Sequence, residues 1–394
     1  MLIAGGGIAG LELAIALREL AGRRAEITLI SPEDHFVLKP LAVREPFGGP
    51  GLERHELAPL LKRIGAEHVR DALTHVDPGA RSLTLRGARS LDYDLLAICV
   101  GGRARPAYAT ATTFWSTSAR IPVGEMLSRA DAHRSRTLAV VIPPATTWPL
   151  PAYELALMLR RHAEKLELSP RIMILTPESS PLAIFGERAS GAVAARLRAR
   201  DVEIKAGCFV EEGSGRLGCQ DGTALECSDA IALPRIDGPA IDGLPASGGG
   251  FIPVDEHLRV VGVDGVYAAG DGTSFPVKQG GIAAQQAEAA AEHIASTLGA
   301  PVDPQPFRPV LRGELLTGVD SLKLEHKLSA DDPDGVVSPD YLWWPRTKVG
   351  ARHVSAWLEG VETPPDLSPR EQPIAVEARW PHQHHPTPVG AGDR

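Results

Sequence analysis

The sequence predicts an α/β protein with two Rossmann-like dinucleotide-binding domains, the first split by insertion of the second, followed by a C-terminal segment. Three observations predict this architecture. The chain opens with an apolar strand, a glycine-rich turn and a helix; a second β–helix–β pattern begins at Leu138; and a late apolar strand leads into Gly270-Asp271. The 394 residues are enough for two or three domains with substantial cores.

The opening glycines have the spacing of a dinucleotide-binding turn. Gly5, Gly7 and Gly10 follow the short apolar run at 2–4 and precede a predicted helix over 11–21. In a G-x-G-x-x-G turn, the first glycine allows the tight turn, the second lets the backbone approach a pyrophosphate, and the third lets helix and strand pack closely. The phosphate would then meet the free N–H groups at the start of the helix.

A ribose-binding acid is expected roughly 20 residues past these glycines. A second strand is predicted over 26–30, and Ser31 stands at its end, where the acid would usually be. Glu33 is the favoured ribose ligand, while the alternative is that Glu33-Asp34 belongs to a solvated turn. The segment 35–40 is predicted to be a loop near the bound cofactor, and it includes Lys39.

The second β–helix–β pattern lacks glycines in its turn. A strand over 138–142, a helix over 151–166 and a strand over 171–176 have the expected order. The intervening turn, 143–149, holds three prolines, which have no N–H to offer a phosphate. The fold is therefore predicted to be duplicated without its phosphate-binding turn.

Composition and cysteine usage exclude several classes. The net charge of −8 gives no basic surface for nucleic acid, no apolar run is long enough to cross a bilayer, and a secretory signal is not expected. We predict a cytoplasmic protein, with contact at the inner face of the membrane left open. Without C-x-x-C spacing, the four cysteines favour reduced thiols over a disulfide framework. Cys99 is expected in the core, and Cys219 and Cys227 beside a hairpin turn at Asp221-Gly222.

Two motifs at this separation indicate a family. The N-terminal Gly-Gly-Gly-Ile-Ala-Gly-Leu-Glu and the late Val-Tyr-Ala-Ala-Gly-Asp resemble those of the pyridine nucleotide-disulfide oxidoreductase superfamily. Within it, the chain is most similar to the branch of type II NADH dehydrogenases and sulfide:quinone oxidoreductases. The resemblance implies that the protein binds FAD and transfers electrons between a small-molecule donor and a small-molecule acceptor. It does not decide whether NAD(P)H is the donor or whether the protein forms a homodimer. The predicted divisions are an FAD domain at 1–108 and 236–310, an NAD(P)-type domain at 109–235, a C-terminal segment at 311–361 and a disordered tail at 362–394.

The resemblance also implies residue roles. It places Asp271 at the ribityl chain of FAD, and Lys278 and Gln279 near the isoalloxazine ring, although neither is assigned a catalytic role. A helix starting at Gly280-Gly281 would direct N–H groups to the reduced flavin and Lys278 would add a charge; the alternative is a surface lysine. The predicted cofactor-binding residues are Gly5, Gly7, Ala9, Gly10, Glu33, Lys39, Gly101, Gly270, Asp271, Lys278, Gln279 and Gly280, and no metal site is predicted.

The chain departs from the family in three places. Besides the missing second glycine turn, no cysteine precedes Cys99, which excludes the redox pair of disulfide reductases. Thr147-Trp148 stands where sulfide:quinone oxidoreductases have a cysteine, and none follows Cys227, so polysulfide chemistry is not expected. Glu154 aligns with a glutamate that helps position nicotinamide in the family; it is either a remnant of such a site or a helix-surface acid.

Two functions remain. One is an FAD-dependent oxidoreductase that passes electrons to a quinone or another small acceptor, with the donor uncertain. The other is a low-turnover flavin-binding redox sensor or partner-binding module. In the first, an amphipathic helix over 354–361 and the tryptophans Trp343, Trp344 and Trp357 would cover the flavin or rest on a membrane; the alternative is that they are core or dimer-interface aromatics. The tail histidines at 382, 384 and 385 are interpreted as a solvated cluster.

Overall fold

The computed structural model describes residues 1–49, 52–114, 121–132, 137–213, 216–222, 225–328 and 334–360. The α-helices of these residues are α1 (Ile8–Ala21), α2 (Leu57–Ile64), α3 (Val123–Ala132), α4 (Leu150–Lys165), α5 (Gly186–Ala199), α6 (Gly280–Thr297) and α7 (Arg352–Glu359). The longest 3₁₀ segment is Lys39–Phe47. The predicted tail and its histidines lie outside the described residues.

The strands fall into a first and a second half. Those of the first half are β1 (Leu2–Ala4), β2 (Ile27–Ile30), β3 (His35–Val37), β4 (Arg54–Glu56), β5 (Ala66–Val69), β6 (Leu73–Asp77), β7 (Ser82–Leu85), β8 (Ser90–Asp92), β9 (Leu96–Ile98), β10 (Arg103–Arg105) and β11 (Thr112–Thr113). Those of the second half are β12 (Thr137–Val141), β13 (Arg171–Leu175), β14 (Glu203–Lys205), β15 (Val210–Gly213), β16 (Arg216–Cys219), β17 (Cys227–Ala232), β18 (Arg235–Asp237), β19 (Val266–Ala268), β20 (Val310–Leu316), β21 (Ser321–Lys327) and β22 (Val336–Ser338).

The first parallel sheet has the order β19-β9-β1-β2-β5. In register, Leu2 of β1 lies between Thr28 of β2 and Leu96 of β9. Apolar side chains of α1 and α6 cover one face, and the β6-β7-β8 meander covers the other. Because parallel strands end at one edge, the turns after β1, β9 and β19 meet there. The late strand therefore returns to the first sheet as predicted.

The second parallel sheet has the order β11-β17-β12-β13-β14. Its central strand β12 is buried along its whole length, and α4 follows it as the crossover helix. The antiparallel pair β10–β18 lies where the chain leaves and re-enters the first unit. These two sheets confirm the predicted α/β class with two dinucleotide-binding folds.

The C-terminal segment forms the antiparallel sheet β20-β21-β22 and then α7. The apolar face of α7 packs on the first unit: Val354 is buried, and the ring of Trp357 lies 6.2 Å from Phe36 and 5.9 Å from His55. Trp343 is buried as well, whereas Trp344 is 37% exposed, so the core alternative holds for Trp343 and Trp357 but not for Trp344. This helix face is therefore covered, and a membrane contact would need another surface. Among the described helices, none has the length and hydropathy needed to cross a bilayer.

Two local expectations were wrong. Residues 35–37 form the short strand β3, paired with β4, and not a loop. The chain does turn at Asp221-Gly222, where the amide of Gly222 donates to the carbonyl of Cys219 at 3.0 Å and that of Leu225 to the carbonyl of Leu217 at 3.4 Å; the preceding strands β15 and β16 form a hairpin of their own. Cys208 and Cys219 flank that hairpin and form a disulfide, so the expected set of four reduced thiols is incorrect. Cys99 is a buried free thiol, as expected.

Candidate cofactor site

The glycine turn after β1 combines tight packing with one open position. Gly5 has φ +117°, a conformation that L side chains rarely adopt, and a Cβ there would clash with the carbonyl of Cys99. A Cβ on Gly10 would clash with the carbonyl of Gly5. Around Gly7, in contrast, no protein atom lies within 4 Å of a built Cβ. Packing of β1, β9 and α1 therefore explains the outer glycines, and open space in front of the helix is left at the middle one.

The first turn of α1 has unused hydrogen-bond donors. Gly7 is its N-cap, offers no side-chain cap, and no acid stands in the first turn. Within the described part of the chain, the amides of Gly7, Ile8 and Ala9 have no acceptor. Unbonded amides at the positive end of a helix form an anion site. The turn thus fits a pyrophosphate.

The second motif lies against the first. Gly270 has φ +87°, and a Cβ built on it would be 3.1 Å from the Cβ of Ala9. A Cβ on Gly272 would be 3.1 Å from the carbonyl oxygen of Gly101, and one on Gly102 would be 3.4 Å from that of Asp271. The two distant glycine motifs and the end of β9 therefore meet at one corner, as a shared cofactor requires.

Asp271 carries the main charge of this corner. Burial raises the pKa of its carboxyl to about 6, and the ammonium groups of Lys278 and Lys39 oppose that rise. Asp271 thus faces both predicted lysines, although Lys39 itself is exposed.

Lys278 is buried, so the surface alternative is wrong. Its side chain is only 7% exposed, and Nζ donates to the carbonyl oxygens of Thr273 and Phe275, the latter at 2.5 Å. Nζ also lies 4.0 Å from the centre of the Phe251 ring. Burial lowers the pKa of Lys278 to about 8, and the nearby charge of Asp271 partly offsets this by raising it. Its charge is held inside the protein by two carbonyls.

The start of α6 matches the prediction in position but differs in its donors. The helix begins at Gly280, and the Gln279 side chain caps it, since Oε1 accepts from the amides of Gly281 and Ile282. Gln279 Nε2 donates to the carbonyl of Arg312 at 3.2 Å. The expectation of several free amides is therefore wrong, because a side-chain cap has taken two of them; the amide of Gly280 has no acceptor among the described residues.

The end of β2 leaves one acid without a partner. Asp34 forms ion pairs with His35 and with Arg70, the latter at 3.1 Å. Glu33 is exposed and forms no ion pair within the described residues. The side chain of Ser31 is buried against Gly6. Of the two acids that follow β2, Glu33 is the one whose carboxylate is available.

The corresponding turn of the second domain is filled. Pro149 is the N-cap of α4, a second proline follows within its first turn, and the amide of Ala152 already donates to Pro149. The amide of Thr146 donates to the carbonyl of Pro143. The Trp148 ring packs on Phe185 with 5.7 Å between centroids. The prolines at 143, 144 and 149 therefore interrupt the donors of this turn, and the adjacent amides left without an acceptor among the described residues are those of Thr147 and Trp148.

The acid after β13 is also occupied. In a dinucleotide-binding domain, the end of the second strand supplies the ribose ligand. Here Glu178 accepts from the hydroxyl groups of Tyr153 at 2.5 Å and Thr176 at 3.0 Å. Burial raises the pKa of Glu178, which these bonds partly offset. Both polar elements of a nucleotide site are thus used inside this domain.

Glu154 forms a buried ion pair that sequence reasoning missed. It is 1% exposed, which rules out the helix-surface acid; it accepts from Lys348 Nζ and, at 2.9 Å, from the amide of Leu316. Burial raises the pKa of Glu154 and Lys348 opposes the rise. The neighbouring Val349 packs on the start of α6, 3.0 Å from a Cβ built on Gly280. The pair therefore joins the second domain to the C-terminal segment beside the predicted flavin-ring residues.

Comparisons with known proteins agree with this geometry. Residues 1–292 match the family model of pyridine nucleotide-disulphide oxidoreductases. The sulfide-quinone reductase of Aquifex aeolicus is 27% identical over 199 residues, which are 49% of this chain and 46% of that protein, so about half of that relative's length is matched. An alternative NAD(P)H-ubiquinone oxidoreductase C1 of Arabidopsis thaliana is 23% identical over 80% of this chain and 70% of its own length.

Solved structures show the same fold. The crystal structure of the sulfide:quinone oxidoreductase from Aquifex aeolicus matches with a TM-score of 0.75 and 19% identity, covering 86% of each chain. The family match spans most of the chain and confirms the predicted superfamily, with FAD as its cofactor. The relatives reported above come from the predicted branch. The chain belongs to the pyridine nucleotide-disulphide oxidoreductase family.

Proposed function

We propose that this protein is an FAD-dependent oxidoreductase that takes electrons from a donor other than NAD(P)H and passes them to a quinone or a similar small acceptor. One observation carries the proposal: the chain contains two dinucleotide-binding folds, but only the first has an open, donor-rich turn. Relatives that act on quinones support the acceptor.

The first site supplies the contacts that FAD needs. We assign the pyrophosphate to the amides around Gly7, the ribityl chain to Asp271, the adenosine ribose to Glu33, and close backbone approach to Gly101 and Gly270. The remaining assigned residues are Gly5, Ala9, Gly10, Lys39, Lys278, Gln279 and Gly280. When bound, FAD supplies two-electron chemistry.

The second domain supports a donor that is not a nucleotide. Binding a pyrophosphate at α4 would require free amides, and here the prolines of 143–149 supply none while the amides of Thr146 and Ala152 are bonded internally. The adjacent amides left without an acceptor in the described part of the chain are those of Thr147 and Trp148, beside the packed Trp148 ring. Reorienting Glu178 toward a ribose would leave the Tyr153 hydroxyl without its acceptor, a cost of about 1–3 kcal/mol. Loss of two anchors argues against NADH or NADPH at this site.

Glu154 and Lys348 are the groups best placed to serve the acceptor. Reduction of a quinone to a quinol consumes two protons, which a site shielded from water must supply through side chains. A buried carboxyl with a raised pKa, paired with an ammonium, can hold and release a proton at its oxygen. We assign Glu154 this role beside the start of α6.

Sheet membership supports the expected divisions. We propose an FAD domain at 1–108 and 236–310, since β1, β2, β5, β9 and β19 share one sheet. The inserted domain at 109–235 holds β11 to β17. The segment 311–361 then covers both through β20–β22 and α7.

A visible spectrum and an anaerobic donor screen test the proposal. The purified protein should show oxidised flavin, and NADH or NADPH should bleach it no faster than free flavin; rapid bleaching by either would refute the donor assignment. Protein reduced photochemically should then be reoxidised by a water-soluble quinone. No reoxidation would favour the alternative, a redox sensor or partner-binding module, which the missing second phosphate site also supports.

A matched pair of variants tests the role of Glu154. Glu154→Gln should slow quinone reoxidation and flatten its pH profile. Glu164→Gln, on the exposed side of the same helix, should leave both unchanged. Equal rates in the two variants would remove Glu154 from the reaction.

A further inference from the structure

A cavity of about 430 Å³ lies away from the cofactor corner, where three parts of the chain meet. Its walls are the 3₁₀ segment Lys39–Phe47, the second half of α4, and the turn between β20 and β21. The α4 residues at 161–165 follow Glu154 by two to three helical turns, which is roughly 10–16 Å along the axis. Leu316 and Glu314 of its walls also bond Glu154 and Lys348 through their backbone amide and carbonyl, so the cavity adjoins that buried pair.

Three basic side chains line the cavity, and two of them have no ion-pair partner within the described residues. Arg44 and Lys165 line it, and neither forms an ion pair within the described residues. Arg161 donates through Nη1 to Glu164 at 3.1 Å, but its Nε is buried and has no hydrogen-bond partner.

The acids that line the cavity are already bonded. Asp320 accepts from Arg196 at 2.9 Å and from the Thr317 hydroxyl. Glu314 accepts from the hydroxyls of Ser321 at 2.8 Å and Tyr341 at 3.1 Å. The open charges that face the cavity are therefore positive, although the whole chain carries a net charge of −8.

Apolar side chains line the cavity as well. Phe47, Met158 and Leu316 line it, and the Phe47 ring lies 5.9 Å from that of His162. Val319, at the tip of the β20–β21 hairpin, is 60% exposed at the rim. The exposed apolar side chain of Val319 lies beside a cavity lined by cations. This combination fits a ligand that has an apolar part and a negatively charged part.

We propose that this cavity binds a phosphate ester carrying an apolar body. Arg44, Arg161 and Lys165 bind the phosphate, since guanidinium groups match its geometry and neither Arg44 nor Lys165 has an ion-pair partner in the described part of the chain. The apolar body lies on Phe47 and Met158. An acidic lipid and a soluble phosphorylated metabolite share this chemistry. The assignment does not depend on the proposed electron transfer.

Calorimetry on the flavin-loaded full chain tests the site, with hexyl phosphate, inorganic phosphate and hexanol as probes. Hexyl phosphate should bind at least about tenfold more tightly than either half alone. Arg44→Gln with Lys165→Gln should weaken it about tenfold or more, as expected for lost charged hydrogen bonds. The control, Lys62→Gln with Arg63→Gln, removes the same charges from the exposed face of α2 and should change nothing. Val319→Asn should reduce the gain that a longer alkyl chain gives.

Vesicle sedimentation distinguishes the two sources. Binding to phosphatidylcholine vesicles that contain phosphatidic acid, lost in the Arg44/Lys165 double variant and kept in the control, assigns the site to a lipid. Binding of hexyl phosphate without vesicle binding assigns it to a soluble ester. The proposal is overturned if hexyl phosphate binds no better than inorganic phosphate, or if the double variant and the control bind it equally.

Discussion

Substitution of Gly7 by valine separates cofactor binding from folding. A Cβ at Gly7 meets no protein atom within 4 Å, and the backbone there, with φ −85° and ψ −169°, is extended and open to any residue. The side chain would stand in front of the first amides of α1. In the assigned site, that space belongs to the pyrophosphate. The variant should therefore fold without FAD.

The expected size of the effect follows from the amides that the side chain would block. Hydrogen bonds to charged groups contribute about 1.5–3 kcal/mol each. Blocking two of the three unbonded amides at 7–9 would cost about 3–6 kcal/mol, a weakening of FAD binding between roughly a hundredfold and ten-thousandfold. The apoprotein should keep its stability within about 1 kcal/mol, because glycine replacement at an unstrained position also reduces unfolded-chain entropy.

Gly10→Ala provides the contrast. A Cβ there clashes with the carbonyl of Gly5, which β1 and α1 hold in place. This variant should lose apoprotein stability, whereas Gly7→Val should lose only flavin. The assay is the ratio of flavin to protein absorbance after purification, with urea unfolding of each apoprotein. A Gly7→Val protein that retains a full complement of flavin, or unfolds as easily as Gly10→Ala, would refute the reasoning.

Three further predictions concern stability, each measured by urea unfolding of the apoprotein. Lys348→Met should cost about 3–5 kcal/mol because it strands a buried carboxylate, and Glu154→Gln in the same chain should restore most of that loss; equal midpoints for single and double variants would contradict this. Cys208→Ser should cost about 2–4 kcal/mol, and a reducing agent should produce the same loss in the unmodified chain only. Burial raises the pKa of Glu12 to about 7, against the hydrogen bonds that it accepts, and burial together with the charge of Glu12 raises the pKa of Glu288 to about 8. The folded state then binds more protons than the unfolded chain, so stability should fall as pH rises from about 4.5 to 8, and Glu288→Gln should flatten that slope; an unchanged slope would exclude the pair.

Local packing made the fold and the spacing of the opening glycines predictable. Close contacts among β1, β9 and α1 require glycine at positions 5 and 10. The spacing of these glycines therefore predicts the strand–turn–helix unit from one sequence. Buried parallel strands such as β12 are continuous apolar runs for the same reason. The start of α6 at Gly280 followed from its glycines, but the cap did not, since a Gln279 rotamer decides which amides remain free.

Partners far apart in sequence were not predictable. Glu154 and Lys348 are separated by 194 residues, and each, seen alone, is an ordinary helix or loop charge. Glu12 accepts from the first amides of α7, 341 residues away at His353. The sequence spacing of Cys208 did not predict its disulfide, because the β15–β16 hairpin is what brings Cys208 close to Cys219. In each case the tertiary structure determines the contact, and the local sequence pattern does not predict it.

The two halves of this chain show why the fold alone does not assign a ligand. A β–helix–β unit is stabilised by burial of its strand and helix, as the fully buried β12 shows. Its turn must stay open only if a phosphate is to sit there; otherwise fixed-φ prolines and the Trp148–Phe185 contact can occupy the space without harm to the sheet. The amides around Gly7 have no acceptor within the described residues, and packing does not require the open space in front of them. A bound ligand that accepts from these amides would offset the cost of leaving them unbonded. The open turn of the first unit is therefore a place where a ligand can bind, whereas the second unit keeps its fold with a filled turn.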